Sequence, residues 1–116
     1  MFEGYSTQGV KAVPSSSTAF AYRADNLLVA PLLQYTPGGP ALDAAAKQLG
    51  NQIRNVLNQG AGYTELHSYV NYAYGDESSK GWYGSDVSRQ LKLKLLKVKY
   101  DPFGKFNFYG PISISP

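Results

Sequence analysis

The apolar stripe that follows residues 36–40 constrains this chain more than any other feature. Thr36-Pro37-Gly38-Gly39 interrupts whatever precedes it, and Pro40 suits a first helical turn, where its missing N–H costs nothing. From there Leu42, Ala45, Leu49, Ile53, Val56 and Leu57 recur at three- and four-residue steps, which puts them on one face of a helix. Asn58-Gln59-Gly60 supplies a stop. One long amphipathic helix is predicted, its stripe expected to pack against a sheet and to carry no chemistry.

A chain of 116 residues is one domain's worth, or part of one. At 43% hydrophobic and 16% charged it is not a disordered acidic tail, and it holds no apolar run of about 20 residues, so a soluble globular chain with no membrane partner is expected. Ten tyrosines and five phenylalanines against so few charges suggest aromatic surface meant for a partner or cofactor. The net charge of +3 comes largely from Lys92, Lys94, Lys97, Lys99 and Lys105. These lysines alternate with leucines and read as the wet side of an element whose apolar side is buried. No helix-turn-helix, zinc-knuckle or RNP pattern accompanies them, so no nucleic-acid partner is expected. The lack of cysteine removes disulfides and thiolate sites from this chain but leaves its redox compartment open. Met1-Phe2-Glu3-Gly4 lacks a basic n-region followed by an apolar h-region, so no signal peptide is expected in this sequence, and localisation stays unknown.

Along the chain, residues 1–11 read as a connection arriving from elsewhere and 13–17 as a Pro/Ser loop. Residues 18–23 are expected as a strand, paired as a hairpin with a second strand over 27–35 that is on an edge or bulged at Pro31. A further strand is expected over about 65–72, with His67 inside it. That lone histidine lacks the partners of a metal site or triad and reads as partly buried and hydrogen-bonded; no metal is assigned. Residues 75–81 form a polar loop in which adjacent Asp76 and Glu77 suit neither a two-carboxylate hydrolytic site nor a calcium loop. Residues 86–100 fit a helix or a strand, with Asp86 as N-cap in the first case. Residues 106–109 and 111–116 form an extended aromatic tail expected to lie on something.

The candidate site is residues 68–76, Ser-Tyr-Val-Asn-Tyr-Ala-Tyr-Gly-Asp, which concentrates tyrosines, an asparagine and an acid. In an extended segment Tyr69 and Asn71 would project to one face, Val70 and Tyr72 to the other. Read by residue type alone, Tyr-Val-Asn-Tyr is a good β segment.

Taken in order, Pro14-Ser15-Ser16-Ser17-Thr18-Ala19-Phe20-Ala21-Tyr22-Arg23, Tyr69-Val70-Asn71-Tyr72, Tyr83-Gly84, and Lys99-Tyr100-Asp101-Pro102 with Phe106 carry a resemblance across nearly the whole chain. The sequence resembles the C-terminal part of berberine bridge enzyme-like FAD-linked oxidases, of the glucooligosaccharide oxidase-like kind. The resemblance implies an α+β fold, an antiparallel sheet packed by helices. Residues 1–82 would correspond to part of a substrate domain and 83–116 to a C-terminal segment that completes an FAD domain. It implies that Tyr72 is the general base toward an alcohol or carbohydrate substrate, that Asn71 contacts the flavin and that Tyr69 shapes the pocket. FAD would be held only together with an N-terminal FAD-binding portion, which this chain lacks; that portion, or self-association, is the expected partner. Members of such a family are typically secreted. A phenol of ordinary pKa, about 10, needs a neighbour favouring phenolate, and no residue here is assigned that part.

The departures are specific. Tyr22-Arg23 stands where members often have His-Arg, Tyr74 stands where an acid is common, and Asp76 comes two positions late. Arg89 and Lys92 both compete for the family's arginine position, and neither is assigned. The alternative reading is a non-enzymatic remnant of the same fold that binds a protein or small ligand.

Overall fold

The computed structural model describes residues 1–114, so the last two positions of the expected tail lie outside the described residues. Two units emerge, one formed by Met1–Gly4 with Leu27–Leu66, the other by Tyr5–Asn26 with the chain from His67 on. The elements are β1 (Phe2–Glu3), α1 (Gln8–Lys11), β2 (Leu28–Val29), α2 (Pro40–Gly60), α3 (Ser79–Tyr83) and α4 (Val87–Tyr100), with 3-10 turns at Ser15–Ser17 and Val70–Tyr72. Helices with a two-stranded antiparallel sheet make this a mixed α+β chain.

In the first unit α2 begins with Pro40 in its first turn and runs to Gly60, as the stripe predicts. Gly39 precedes it at φ 91° and ψ 176°, a backbone state close to glycine-only. Tyr35 donates its hydroxyl to Asp43 Oδ1 at 2.9 Å, fastening the incoming segment to the first turn of α2. The stripe itself is not covered by a sheet, contrary to expectation: no residue of α2 is buried, and Leu42, Leu49 and Val56 are exposed. The sheet is too small to cover it, pairing only Phe2 with Val29 and Glu3 with Leu28.

The expected hairpin between 18–23 and 27–35 does not form. β2 ends at Val29, since Pro31 has no N–H to offer a ladder and biases the residue before it, and its partner is β1. Residues 18–23 form no strand because other donors take their carbonyls. Ser15 Oγ donates to Ala21 O at 2.7 Å, Thr18 Oγ1 to Phe20 O at 3.2 Å and Arg89 Nε to Thr18 O at 3.0 Å.

In the second unit residues 87–100 are helical. Asp86 is the N-cap, its Oδ1 accepting from Arg89 N at 2.7 Å. Ser78 caps α3 in the same way, accepting from Gly81 N at 3.2 Å. The leucine side of α4 is not buried as expected: Leu91, Leu95 and Val98 are exposed. Among the described residues Trp82, 6% exposed, is the only buried large apolar side chain, so polar contacts carry much of the order here.

Arg89, 7% exposed, and Gln90 join α4 to what precedes it. Gln90 Nε2 donates to Ser79 O at 3.2 Å and Gly84 O at 2.7 Å, while Ser79 Oγ donates to Gln90 Oε1 at 2.9 Å. Gly84 sits at φ 77° and ψ 167°, and a Cβ there would lie 2.7 Å from the Ala21 Cβ and 3.0 Å from Arg89 Nη1. Gly84→Ala is therefore expected to cost about 1–3 kcal/mol in urea unfolding from backbone strain alone. Gly9→Ala, whose methyl meets open space, is expected to stay within about 0.5 kcal/mol of the parent.

Candidate functional site

Residues 69–72 turn rather than extend. Tyr72 N donates to Tyr69 O at 2.9 Å and Ala73 N to Val70 O at 3.4 Å, closing the 3-10 turn where a strand is expected over 65–72. A strand needs a partner to take its N–H and C=O groups; here the segment bonds to itself. The alternation that set Tyr69 and Asn71 against Tyr72 is lost, and the three side chains become neighbours.

Asn71 Nδ2 donates to the Tyr69 hydroxyl at 2.8 Å, and the Tyr69 ring meets the Tyr72 ring edge to face, centroids 5.5 Å apart at 73°. Phe20 packs against the other side of Tyr69 at 6.1 Å and 79°, extending the aromatic cluster. Tyr69 and Tyr72 are 37% and 51% exposed, so both rings keep accessible surface beside the exposed Asn71. Phe20 was not assigned to the site, because nothing local in the sequence signals a contact with a residue nearly fifty positions away.

The turn is held from below and behind. Buried Ser68 donates its N–H to Gly81 O at 2.9 Å, tying the turn's entrance to α3. Tyr109 donates its hydroxyl to Ala73 O, and Tyr83 donates its own to Gly110 O at 3.0 Å. Burial pushes the Tyr83 hydroxyl above its ordinary pKa. Gly110, at φ 53°, lies so close that a Cβ there would fall 2.9 Å from Val70 Cγ2. So 109–110 do lie on something, namely this turn, while Phe106 and Phe108 are exposed.

His67, just before the turn, is partly buried and hydrogen-bonded as read: its Nδ1 is 2.9 Å from Asp25 Oδ2, and its ring stacks on Tyr22 at 4.0 Å. Glu77 closes the exit, accepting from Tyr74 N at 3.0 Å, Gly75 N at 2.9 Å and Trp82 Nε1 at 3.2 Å. Desolvation is the largest single influence on Glu77 and pushes its pKa up, but the donations from Gly75, Tyr74, its own N–H and Trp82 together bring it below the ordinary value. Its place is structural, which adjacency to Asp76 did not reveal.

Aromatic rings beside a phenol and a carboxamide are groups that suit contact with a planar heteroaromatic ring system. Among the described residues no group of three or more His, Asp or Glu is placed to hold a metal ion, and no helix is long and apolar enough to cross a membrane.

The homologues of this chain are FAD-linked oxidoreductases. It is 56% identical over 112 residues to the FAD-linked oxidoreductase chyH of Penicillium rubens, a match covering 97% of this chain and 22% of that protein. Identity to the FAD-linked oxidoreductase chry5 of Gibberella zeae is 54% over 112 residues, with the same coverage of 97% and 22%. Against OXR2 of Pyricularia oryzae, also an FAD-linked oxidoreductase, it is 40% over 114 residues, covering 96% and 22%. The chain thus spans about a fifth of the length of the curated relatives it matches. No family model and no solved structure matches it.

The Lys99-Tyr100-Asp101-Pro102 signature ends α4. Asp101 accepts from Lys97 Nζ, from Lys105 N at 2.7 Å and from Phe106 N at 2.9 Å, while Lys97 Nζ also donates to Phe106 O at 3.0 Å. The hydrogen bond from Lys97 is the main cause that lowers the Asp101 carboxyl from 3.8 to about 2. Because the folded value lies below the ordinary one, this contribution to stability is fully present above pH 3.8 and is lost as pH falls toward 2. Helical circular dichroism is expected to fall across that window, and Asp101→Asn to remove the part of the fall that this carboxylate causes. An acid titration identical in the two proteins would contradict the assignment.

Proposed function

We propose that this chain is the C-terminal portion of a berberine bridge enzyme-like FAD-linked oxidoreductase that oxidises an alcohol or sugar-like substrate by hydride transfer to flavin. It would be active only when completed by an N-terminal FAD-binding portion. The observation that carries this reading is the exposed cluster of Tyr69, Asn71 and Tyr72 in one turn, within a chain matched almost end to end by FAD-linked oxidoreductases. In this reading Tyr69 and Asn71 would contact the flavin and Tyr72 would serve the substrate. When bound, the flavin supplies the hydride acceptor. Tyr72, as its phenolate, would take the substrate hydroxyl proton as hydride leaves the carbinol carbon, so that charge would not build up on an isolated alkoxide. The hydrogen bond from Asn71 to Tyr69 orients both side chains before substrate arrives.

The uncovered apolar surface supports the need for a completing portion. Leu91, Leu95 and Val98 on α4, and Phe103, Phe106 and Phe108 after it, are exposed apolar side chains of the kind a further portion of the protein would cover. In this reading the remaining four-fifths of a protein as long as the relatives covers them.

The test is Tyr72→Phe in the flavin-containing protein, identified beforehand by its visible absorption and by a mass larger than this chain. Loss of one hydroxyl with the ring retained is expected to lower kcat by about 10²–10⁴-fold, the usual worth of a general base, with the flavin spectrum unchanged. Unchanged turnover would remove Tyr72 from the base role. A colourless particle containing only this chain and indifferent to added FAD would favour the ligand-binding remnant instead.

A further inference from the structure

We propose that Arg89 is the positioning residue of the tyrosine turn, its single buried guanidinium fixing residues 69–72 from two sides. Its side chain makes four donations to oxygens: Nε to Thr18 O at 3.0 Å, Nη1 to Tyr83 O at 3.1 Å, and Nη2 to both Ser15 O and Ser15 Oγ at 2.7 Å. None of these acceptors is a carboxylate, so the ion is not there to neutralise a charge. A buried cation solvated by main-chain carbonyls is costly to place and is rigid once placed, because each acceptor lost leaves a desolvated donor.

The two arms are traceable. On one side Nε and Nη2 hold residues 15–18, and Ser15 Oγ passes the constraint to Ala21 O at 2.7 Å. Phe20 lies within that span and presents its ring to Tyr69. On the other side Nη1 holds the Tyr83 carbonyl, the Tyr83 hydroxyl holds Gly110 O, and Gly110 closes on Val70. The turn is thereby set between Phe20 and Gly110, two contacts that share one guanidinium. Lysine offers its donors from one point rather than a planar fork, and cannot serve both arms in this geometry.

This inference rests on the reading of the turn as a flavin-facing surface, but its test has a part that does not. In the full chain, Arg89→Lys is expected to keep the far-UV circular dichroism of the helices and lose the NMR cross-peaks between Phe20 and Tyr69 and between Val70 and Gly110. Arg89→Ala is expected to lose the same cross-peaks and recover them on addition of guanidinium. In the flavin-containing protein, Arg89→Lys is expected to lower kcat by about 10²-fold, the cost of misplacing a group by about 1 Å, with flavin retained and KM little changed. Cross-peaks that survive in Arg89→Lys would overturn the proposal. So would collapse of the helical signal in the same variant, since the residue would then support the whole unit and not the turn. If the unsubstituted protein shows no turnover, the oxidase reading fails while the cross-peaks still decide the positioning role.

Discussion

The second unit depends on satisfying one buried guanidinium. Arg89 has no carboxylate among its hydrogen-bond acceptors, so the backbone must bring it oxygens, and residues 15–18 and Tyr83 are shaped to do so. This requirement bears on two features: Thr18, whose carbonyl is turned to the guanidinium while Ser15 and Thr18 hydroxyls take those of Ala21 and Phe20, and a glycine at position 84. At Gly84 the chain passes so close to Ala21 and Arg89 that no Cβ would fit, and its backbone lies where only glycine is comfortable. The cost of desolvating the arginine is offset by hydrogen bonds, which are directional. Its environment is correspondingly exact in geometry.

Charge and capping organise α4 where apolar burial does not. Asp86 begins the helix by accepting from Arg89 N, and Asp101 ends it by accepting from Lys97 and from two backbone N–H groups of the segment that follows. Between these caps several apolar side chains face outward. The stripe of α2 is in the same condition within its own unit. In both helices the periodicity in the sequence is real and the helix forms, yet the surface that the apolar face is patterned to meet is not supplied within its own unit.

The tyrosine turn shows how residue type and local conformation diverge. Tyr69, Asn71 and Tyr72 could be singled out from the sequence, and they do gather in one place. Their mutual geometry could not, since β propensity argued for a strand and a strand would have set Tyr69 and Tyr72 on opposite faces. What decided otherwise was a set of long-range contacts: Phe20 on Tyr69, Gly81 on Ser68, and Tyr109 and Gly110 on Ala73 and Val70. Arg89 and Asp101 were visible as letters, but a buried role is written in partners more than in neighbours. The family resemblance left Arg89 and Lys92 competing for one arginine position and assigned neither.

By itself the sequence determined what depends on short range. It set the span of α2 through Pro40 and the apolar repeat, offered Asp86 as the N-cap should a helix follow, and concentrated aromatic and amide chemistry at 69–72. Steps of three and four residues and side-chain caps act within one or two helical turns, so a linear reading captures them. Tertiary structure alone decided whether 86–100 would be helix or strand, whether 18–23 and 65–72 would extend, and that Arg89 would be buried. Those outcomes turn on which partners, distant in sequence, satisfy the backbone N–H and C=O groups, and a linear reading does not contain them.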